Sequence, residues 1–320
     1  MGSENVYKRQ EKRKAMIRQK ANEMGYLPNM AARALKTKMT HNIGVLFIDD
    51  YHSGLTHPYF APVLESLKTE VENLGYDITF INKNVGGREM SYLEHCRYRN
   101  VDGVVIANVD FTKEEVVELV ESDIPVVTID HVFNNCPAVV SDNIKGVREL
   151  TEYVISMGHK KIAYIHGQQN SVTKVRLASF YRTMEEHGLS VPDEYVPEAP
   201  YLEGEASSEA TKKLLALKNP PTCILYPDDY TAIGGIAVIR EAGLSIPSDI
   251  SVAGYDGISL IQQFQPKLTT YAQDMSGIGK AAAQAIVDQI ERPKSALVEM
   301  IVKAGVVMPG ASVRCLNENE

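Results

Sequence analysis

Long apolar runs are missing from this 320-residue chain. No stretch approaches the ~18 residues of a membrane span, and the N-terminus opens on a basic helical pattern instead of a charged stub followed by an apolar run. The cytoplasm is the expected location, with no membrane partner. Cysteine is scarce as well. Cys96, Cys136, Cys223 and Cys315 lie far apart without a close pair, which argues against a disulfide framework and a zinc site and fits a reducing compartment. Low-complexity tracts and repeats of solenoid length do not occur. Catalytic signatures are also absent. There is no GxSxG, no HExxH, no Walker loop and no GxGxxG after a strand, the histidines show no ligand spacing, and no nucleophile stands beside a base. The expectation is a protein that is not an enzyme and uses no cofactor or metal.

What is present is unevenly distributed. The net charge of −8 divides into +7 over residues 1–41, where ten Lys or Arg face Glu4, Glu11 and Glu23, and −15 over the remainder. A basic segment ahead of an acidic body reads as a nucleic-acid arm, because phosphate contacts by Lys and Arg supply most sequence-independent affinity. A solvated charged helix is the other reading of that segment.

From residue 43 onward, β-branched runs alternate with amphipathic stretches every ~25–35 residues, as parallel βαβ units do. The runs are Ile43–Ile48, Asp77–Asn82, Gly103–Ala107, Pro125–Asp130, Lys161–His166, Thr222–Tyr226 and Ser251–Tyr255. They are continuous, not alternating, so both faces of each strand should be covered. Between the first two, Val63, Leu64, Leu67, Val71 and Leu74 form one helical stripe, stopped by Gly75; comparable helices end at Gly158, Gly188 and Gly243. The series starts afresh near residue 143, after the short run Ala138–Ser141. The fold class is therefore α/β, with two doubly wound parallel-sheet lobes and a ligand cleft between them where strand ends converge. Earlier in the chain, Lys8–Met24 reads as a basic helix with Ile17, Ala21 and Met24 on one side, closed by Gly25. A short helix follows over Met30–Lys36.

The run EMGYLPNMAARALKTKMTHNIGVLF (23–47) resembles the end of the DNA-binding head, the hinge helix and the first core strand of the lactose/galactose-repressor family. PDDYTAIGGIAVIREAGLSIPSDISVAGYDG (227–257) resembles that family's run from a ligand-bearing loop through a helix to the GYD turn. VDGVVI (101–106), IPVVTID (124–130), SDN (141–143) and GHKKIAYIHG (158–167) fall in the family's order. The resemblance covers about residues 8–310. It implies a periplasmic-binding-protein-like body of two lobes joined by three crossing strands. The expected divisions are 1–42 as partial head and hinge, 43–141 plus 271–300 as one lobe, and 142–270 plus 301–314 as the other. It departs from the family at the start, where residues 1–7 are too short to supply the two helices of a helix-turn-helix reader. It also implies a ligand-responsive regulator, a repressor acting on operator DNA as a homodimer. The alternative on the same fold is a sugar-binding receptor of a transport system.

Site residues follow from the resemblance position by position. Leu35 falls where family members wedge a minor-groove step, with ordinary packing as the other reading; Asn29, Arg33, Lys36 and Lys38 are the accompanying DNA contacts. For a small sugar-like effector the matching positions are Tyr59 and Phe60, one of which could instead be core, together with Asp130, Asn170 and Arg176. Arg176 is suited to the role because its planar fork supplies directed donors. Tyr201 or Leu202 is expected as an apolar wall. Asp228, Asp229 and Asp256 are carboxylates able to accept pairs of hydroxyl hydrogen bonds, although Asp229 is equally placed to cap the helix Thr231–Ala242.

Overall fold

The computed structural model of the protein describes residues 13–17, 19–21, 23–25, 39–49 and 53–316. The continuous apolar runs become strands because most of their side chains find a helix on one face or the other; the edge strand over Asp77–Phe80 departs from this, with Phe80 43% exposed. The first sheet comprises β1 (Asn42–Phe47), β2 (Asp77–Phe80), β5 (Gly103–Ala107), β6 (Val126–Ile129), β7 (Ala138–Ser141) and β12 (Met300–Lys303). Its order is β12-β7-β6-β5-β1-β2, parallel throughout. Ile43, Val45, Val105 and Val127 join one apolar cluster with α1 (Phe60–Asn73) and α8 (Met275–Glu291). Leu46, Val104, Ile106 and Val126 join another with α2 (Tyr92–Arg99) and α3 (Glu114–Val120). A small hairpin, β3 (Asn84–Val85) with β4 (Arg88–Glu89), lies outside this sheet.

The second sheet is built likewise from β8 (Ile162–Tyr164), β9 (Cys223–Leu225), β10 (Ser251–Asp256), β11 (Thr269–Ala272) and β13 (Val306–Met308), in the order β13-β11-β10-β9-β8. Helices α4 (Asn143–Ser156) and α5 (Ser171–Glu186) cover one face, and α6 (Gly204–Leu215) with α7 (Asp229–Glu241) the other. One strand departs from the all-parallel expectation: β13 runs antiparallel to β11. It enters directly from β12 of the other lobe, so no helix intervenes to reverse its direction.

The chain passes between lobes three times, at residues 141–143, 272–275 and 303–306. The last two passages fall a few residues later than the expected divisions. Tyr271 and Ala272 complete β11 of the second sheet, and Ile301–Lys303 belong to β12 of the first. Helix ends follow the glycines: Gly75, Gly158, Gly188 and Gly243 all adopt positive φ just beyond a helix. Leu74 departs from its stripe. Val63, Leu67 and Val71 are fully buried, but Leu74 is the C-cap of α1, past the last turn that faces the sheet, and is 38% exposed.

Helices α1 and α8 meet at Gly279, where an added Cβ would lie 2.2 Å from the Val63 carbonyl oxygen and 2.7 Å from the Leu67 nitrogen. Backbone cannot yield as a flexible side chain would. Gly279→Ala is therefore expected to cost about 1–3 kcal/mol of stability in urea denaturation, despite alanine's better helix propensity.

Among the described residues no helix is long and apolar enough to cross a membrane. Ile17 and Met24 of the N-terminal basic segment are exposed, and Ala21 is half-buried. The chain entering β1 is fastened more firmly. The Thr40 and His41 backbone N–H groups donate to the Asp102 carboxylate at 2.6–3.0 Å, and the His41 ring stacks on Tyr76.

Candidate ligand site between the lobes

Parallel strands end in loops at their carboxyl edges, and here the carboxyl edges of the two sheets face each other. The space between them is a cavity of about 200 Å³. The first lobe contributes the segment after β1 (His57, Tyr59, Phe60), the loop after β5 (Asn108, Phe111) and Asp130 after β6. The second contributes the loop after β8 (Gln168, Asn170), Arg176 on α5, Tyr201 and Leu202, Asp228 after β9, and Asp256 at the end of β10. Gln273, on a crossing segment, completes the lining. Asn108, Asp130, Leu202 and Asp256 all carry positive φ, a cost tolerated where the fold must aim a side chain.

Arg176 is the electrostatic centre. It is 4% exposed, lies with Cζ 3.9 Å from the Tyr255 ring centroid, and donates from Nε to Asn143 Oδ1 (2.8 Å) and from Nη1 to the Pro227 carbonyl (2.9 Å). These contacts hold the guanidinium plane and leave further N–H groups to face the cavity. Burial opposes its charge, but Tyr201, Tyr255, Tyr164 and Asp256 more than offset that and hold its pKa up.

Three carboxylates surround the cavity, Asp228 and Asp256 buried and Asp130 half-buried. Asp130 accepts from the Ser141 N–H (2.9 Å) and from the Tyr59 hydroxyl (2.9 Å), so Tyr59 is pinned with its ring against the cavity. Asp228 caps α7 by accepting from the Thr231 N–H (2.7 Å), and also accepts from the Leu202 N–H (3.1 Å). Asp256 accepts from Gln273 Nε2 (2.6 Å). Burial raises the pKa of all three, and Asp256 is pushed up to about 8 against the pull of Arg176.

The apolar walls come from rings. His57 Nδ1 accepts from the Tyr59 and Phe60 N–H groups (3.2 Å each), which seats both aromatics at the mouth of α1. Phe60 packs edge-on against Tyr59 and is shared between the core and the cavity. Opposite, the Tyr201 ring lies over Gly167, where any Cβ would fall 2.2 Å from the ring, and its hydroxyl is 2.9 Å from Thr173 Oγ1. Asn170 caps α5 through the Thr173 N–H (2.7 Å).

Asp229 does not line this cavity. It is fully buried, accepting from the Gly257 and Ile258 N–H groups (2.6 and 2.9 Å) and from Thr270 Oγ1 (2.7 Å). As the first residue of α7 it points beneath β10. The helix is capped by Asp228 instead, so Asp229 acts on the site only by bracing the turn that carries Asp256. Asn143, Tyr255 and Gln273 join the site without a local sequence signal. Gln273 Oε1 and the Tyr255 hydroxyl are buried without a partner, the former on a residue that lines the cavity. Asn29, Arg33, Leu35, Lys36 and Lys38 lie outside the described residues.

Two facing α/β lobes with a charged, ring-walled cleft at their strand ends define a periplasmic-binding-protein-like ligand-binding body. Residues 151–313 match the family described as "Periplasmic binding protein-like domain". The chain is 30% identical over 292 residues to the HTH-type transcriptional repressor PurR of Pasteurella multocida (strain Pm70), covering 89% of this chain and 86% of that protein. Its fold is similar to a LacI family transcriptional regulator from Enterococcus faecium with bound ribose (TM-score 0.73, 24% identity, 86% of this chain and 100% of that one). It is similar also to a CelR–cellobiose complex (TM-score 0.74, 21% identity, 92% and 89% covered). The chain belongs to the LacI/GalR family of transcriptional regulators.

Proposed function

We propose that the cleft binds a small, neutral, sugar-like effector whose occupancy controls operator DNA binding by a cytoplasmic homodimer. The observation that carries this reading is Arg176 held among Asp130, Asp228 and Asp256, with the Tyr59, Phe60 and Tyr201 rings alongside. Carboxylates accept from vicinal hydroxyls, a guanidinium donates to ring and hydroxyl oxygens, and flat rings stack on the apolar face of a sugar. Neighbouring folds that hold ribose and cellobiose support the choice. Lobe closure on the effector would shift the first lobe, to which Asp102 fastens residues 40 and 41, and so reposition the paired hinge segments. In that arrangement Leu35 wedges the minor groove while Asn29, Arg33, Lys36 and Lys38 hold the flanking backbone. Kinship with a named transcriptional repressor favours this reading over a transport receptor.

A thermal-shift screen of monosaccharides, disaccharides, phosphosugars and purines is the test, since a ligand that binds only the folded state raises its melting temperature. Stabilisation by neutral sugars is the expected result. Stabilisation by purines or phosphosugars alone would reject the sugar reading.

A further inference from the structure

Each of the three passages between the lobes is held from the ligand site, and each in a different way. At the first, Arg176 Nε donates to Asn143 Oδ1. At the second, Gln273 is tied to Asp256 twice, from its Nε2 to the carboxylate and from its backbone N–H to the Asp256 carbonyl (3.0 Å). The third, residues 303–306, is reached through two stacked rings. Tyr255 lies beneath the Arg176 guanidinium, and Tyr271 stacks on Tyr255 with centroids 5.1 Å apart and planes 30° from parallel. The Tyr271 hydroxyl then accepts from the Gly305 N–H at 2.8 Å.

This column has little room to move. Both rings are buried, and Gly146 on α4 is what admits them: a Cβ there would fall 2.1 Å from the Tyr255 hydroxyl oxygen and 2.7 Å from the Tyr271 ring. Gly305 is enclosed in turn, since its Cβ would lie 2.0 Å from the Ala272 carbonyl oxygen and 2.9 Å from the Tyr271 ring. Flat side chains packed this closely pass a displacement on instead of absorbing it. The two hydroxyls differ. That of Tyr255 is buried without a partner, so position 255 is used for its ring face, whereas that of Tyr271 holds the crossing backbone. The bond matters because β12 and β13 are edge strands of their sheets, each paired on one side, and the segment between them depends on such contacts more than a central strand would.

We propose that Tyr271 is a positioning residue: through Tyr255 it ties the third crossing segment to the Arg176 guanidinium, so that capture of an effector by Arg176 steadies the passage from β12 to β13. This role rests on the reading that the cleft takes its effector through Arg176, and not on that effector being a sugar. A ligand hydrogen-bonded to Arg176 narrows the excursions of the guanidinium and of the rings packed beneath it, and opening of the Gly305 bond becomes rarer. β13, which starts at the next residue, is steadied with it.

Hydrogen exchange of the intact chain, alone and saturated with ribose, glucose, galactose or cellobiose, whichever raises its melting temperature most, is the test. The sugar is expected to slow exchange over residues 305–308 at least about fivefold in the wild type and in Tyr255→Phe, which keeps the ring and loses only the unpartnered hydroxyl. In Tyr271→Phe both rings and the β11–β13 ladder remain, yet slowing over Val306–Met308 should drop below about twofold. Slowing over residues 143–146, which Arg176 reaches through Asn143, is kept in that variant, and sugar affinity stays within about threefold of wild type. Full slowing of β13 in Tyr271→Phe would overturn the proposal. Loss of slowing over both segments would overturn it too, making Tyr271 a general support of the fold. If a purine or phosphosugar binds in place of any sugar, the sugar reading fails, and the same comparison with that compound decides the role of Tyr271. Unchanged affinity in Arg176→Ala would reject the site and the coupling together.

Discussion

Arg176→Ala is expected to weaken effector binding at least about a hundredfold. Two charge-assisted hydrogen bonds to the ligand, at about 1.5–3 kcal/mol each, would be lost together. The same change leaves Asn143 Oδ1 and the Pro227 carbonyl without their donor and removes the cation facing Asp130, Asp228 and Asp256. Removing one side of such an arrangement costs about 3–5 kcal/mol of stability, reduced here because Asp256 is able to take up a proton. Arg176→Lys should recover part of the stability and little of the affinity, since a single ammonium cannot reach both fixed acceptors and the ligand. Calorimetry alongside circular dichroism separates the two effects. Unchanged affinity in a folded Arg176→Ala protein would show that the site is wrongly assigned.

Asp256→Asn should move stability and binding in opposite directions. The Asp256 carboxyl has its pKa raised by burial to about 8, well above the ordinary aspartate value of ~3.9. A carboxyl with its folded pKa raised contributes stability that is full below the unfolded pKa and is lost as pH rises through the folded one. The ligand-free protein should therefore lose up to about 1.4 kcal/mol per pH unit between roughly pH 4 and 8 from this group. Asp256→Asn removes that slope. Melting temperatures measured from pH 5 to 9 should be flatter in the variant and, at pH 8, higher than wild type by several degrees, at about 2–4 °C per kcal/mol for lobes of this size. At pH 9, where the Asp256 carboxyl is ionised, effector affinity should fall about tenfold in the variant, because a carboxylate that accepts hydroxyl hydrogen bonds is replaced by an amide with one acceptor oxygen. A variant with the wild-type pH slope would show that Asp256 is ionised throughout.

Much of the fold is legible because parallel strands buried on both faces leave continuous β-branched runs, and glycines at positive φ punctuate the helices between them. β12 and β13 escape that logic. Met300–Lys303 and Val306–Met308 are short and partly exposed, so nothing in their composition separates them from the linker around them. The lobe boundary is displaced for the same reason: Ala272 and Lys303 end strands whose neighbours are decided by tertiary pairing. Among the described residues of the N-terminal basic segment, Ile17 and Met24 are exposed and Ala21 is half-buried.

Asp130 and Asp256 stand at strand ends, where ligands of open parallel sheets gather, whereas Arg176, inside α5, is reached only through the family resemblance; all three line the cavity. Asp228 and Asp229 are adjacent carboxylates at a helix start, and only the direction of the first turn of α7 decides that one faces the cleft while the other braces Gly257 and Ile258. Asn143, Tyr255 and Gln273 act through contacts between segments remote in sequence, among them Tyr255 beneath the Arg176 guanidinium and Gln273 beside Asp256. No local pattern announces such pairs.

The central claim is that a cleft with one guanidinium and three carboxylates takes a neutral polyhydroxylated ligand. Titration calorimetry of the intact chain at pH 7, with the neutral monosaccharide or glycoside that stabilises it most and with the phosphate ester of the same sugar, tests this most directly. Saturable binding of the neutral compound at one per chain is predicted, with the ester at least about tenfold weaker, because Asp130 and Asp228 already face the Arg176 guanidinium and leave no spare positive charge for a phosphate. Binding of the phosphate ester as tightly as, or more tightly than, the neutral compound would contradict it.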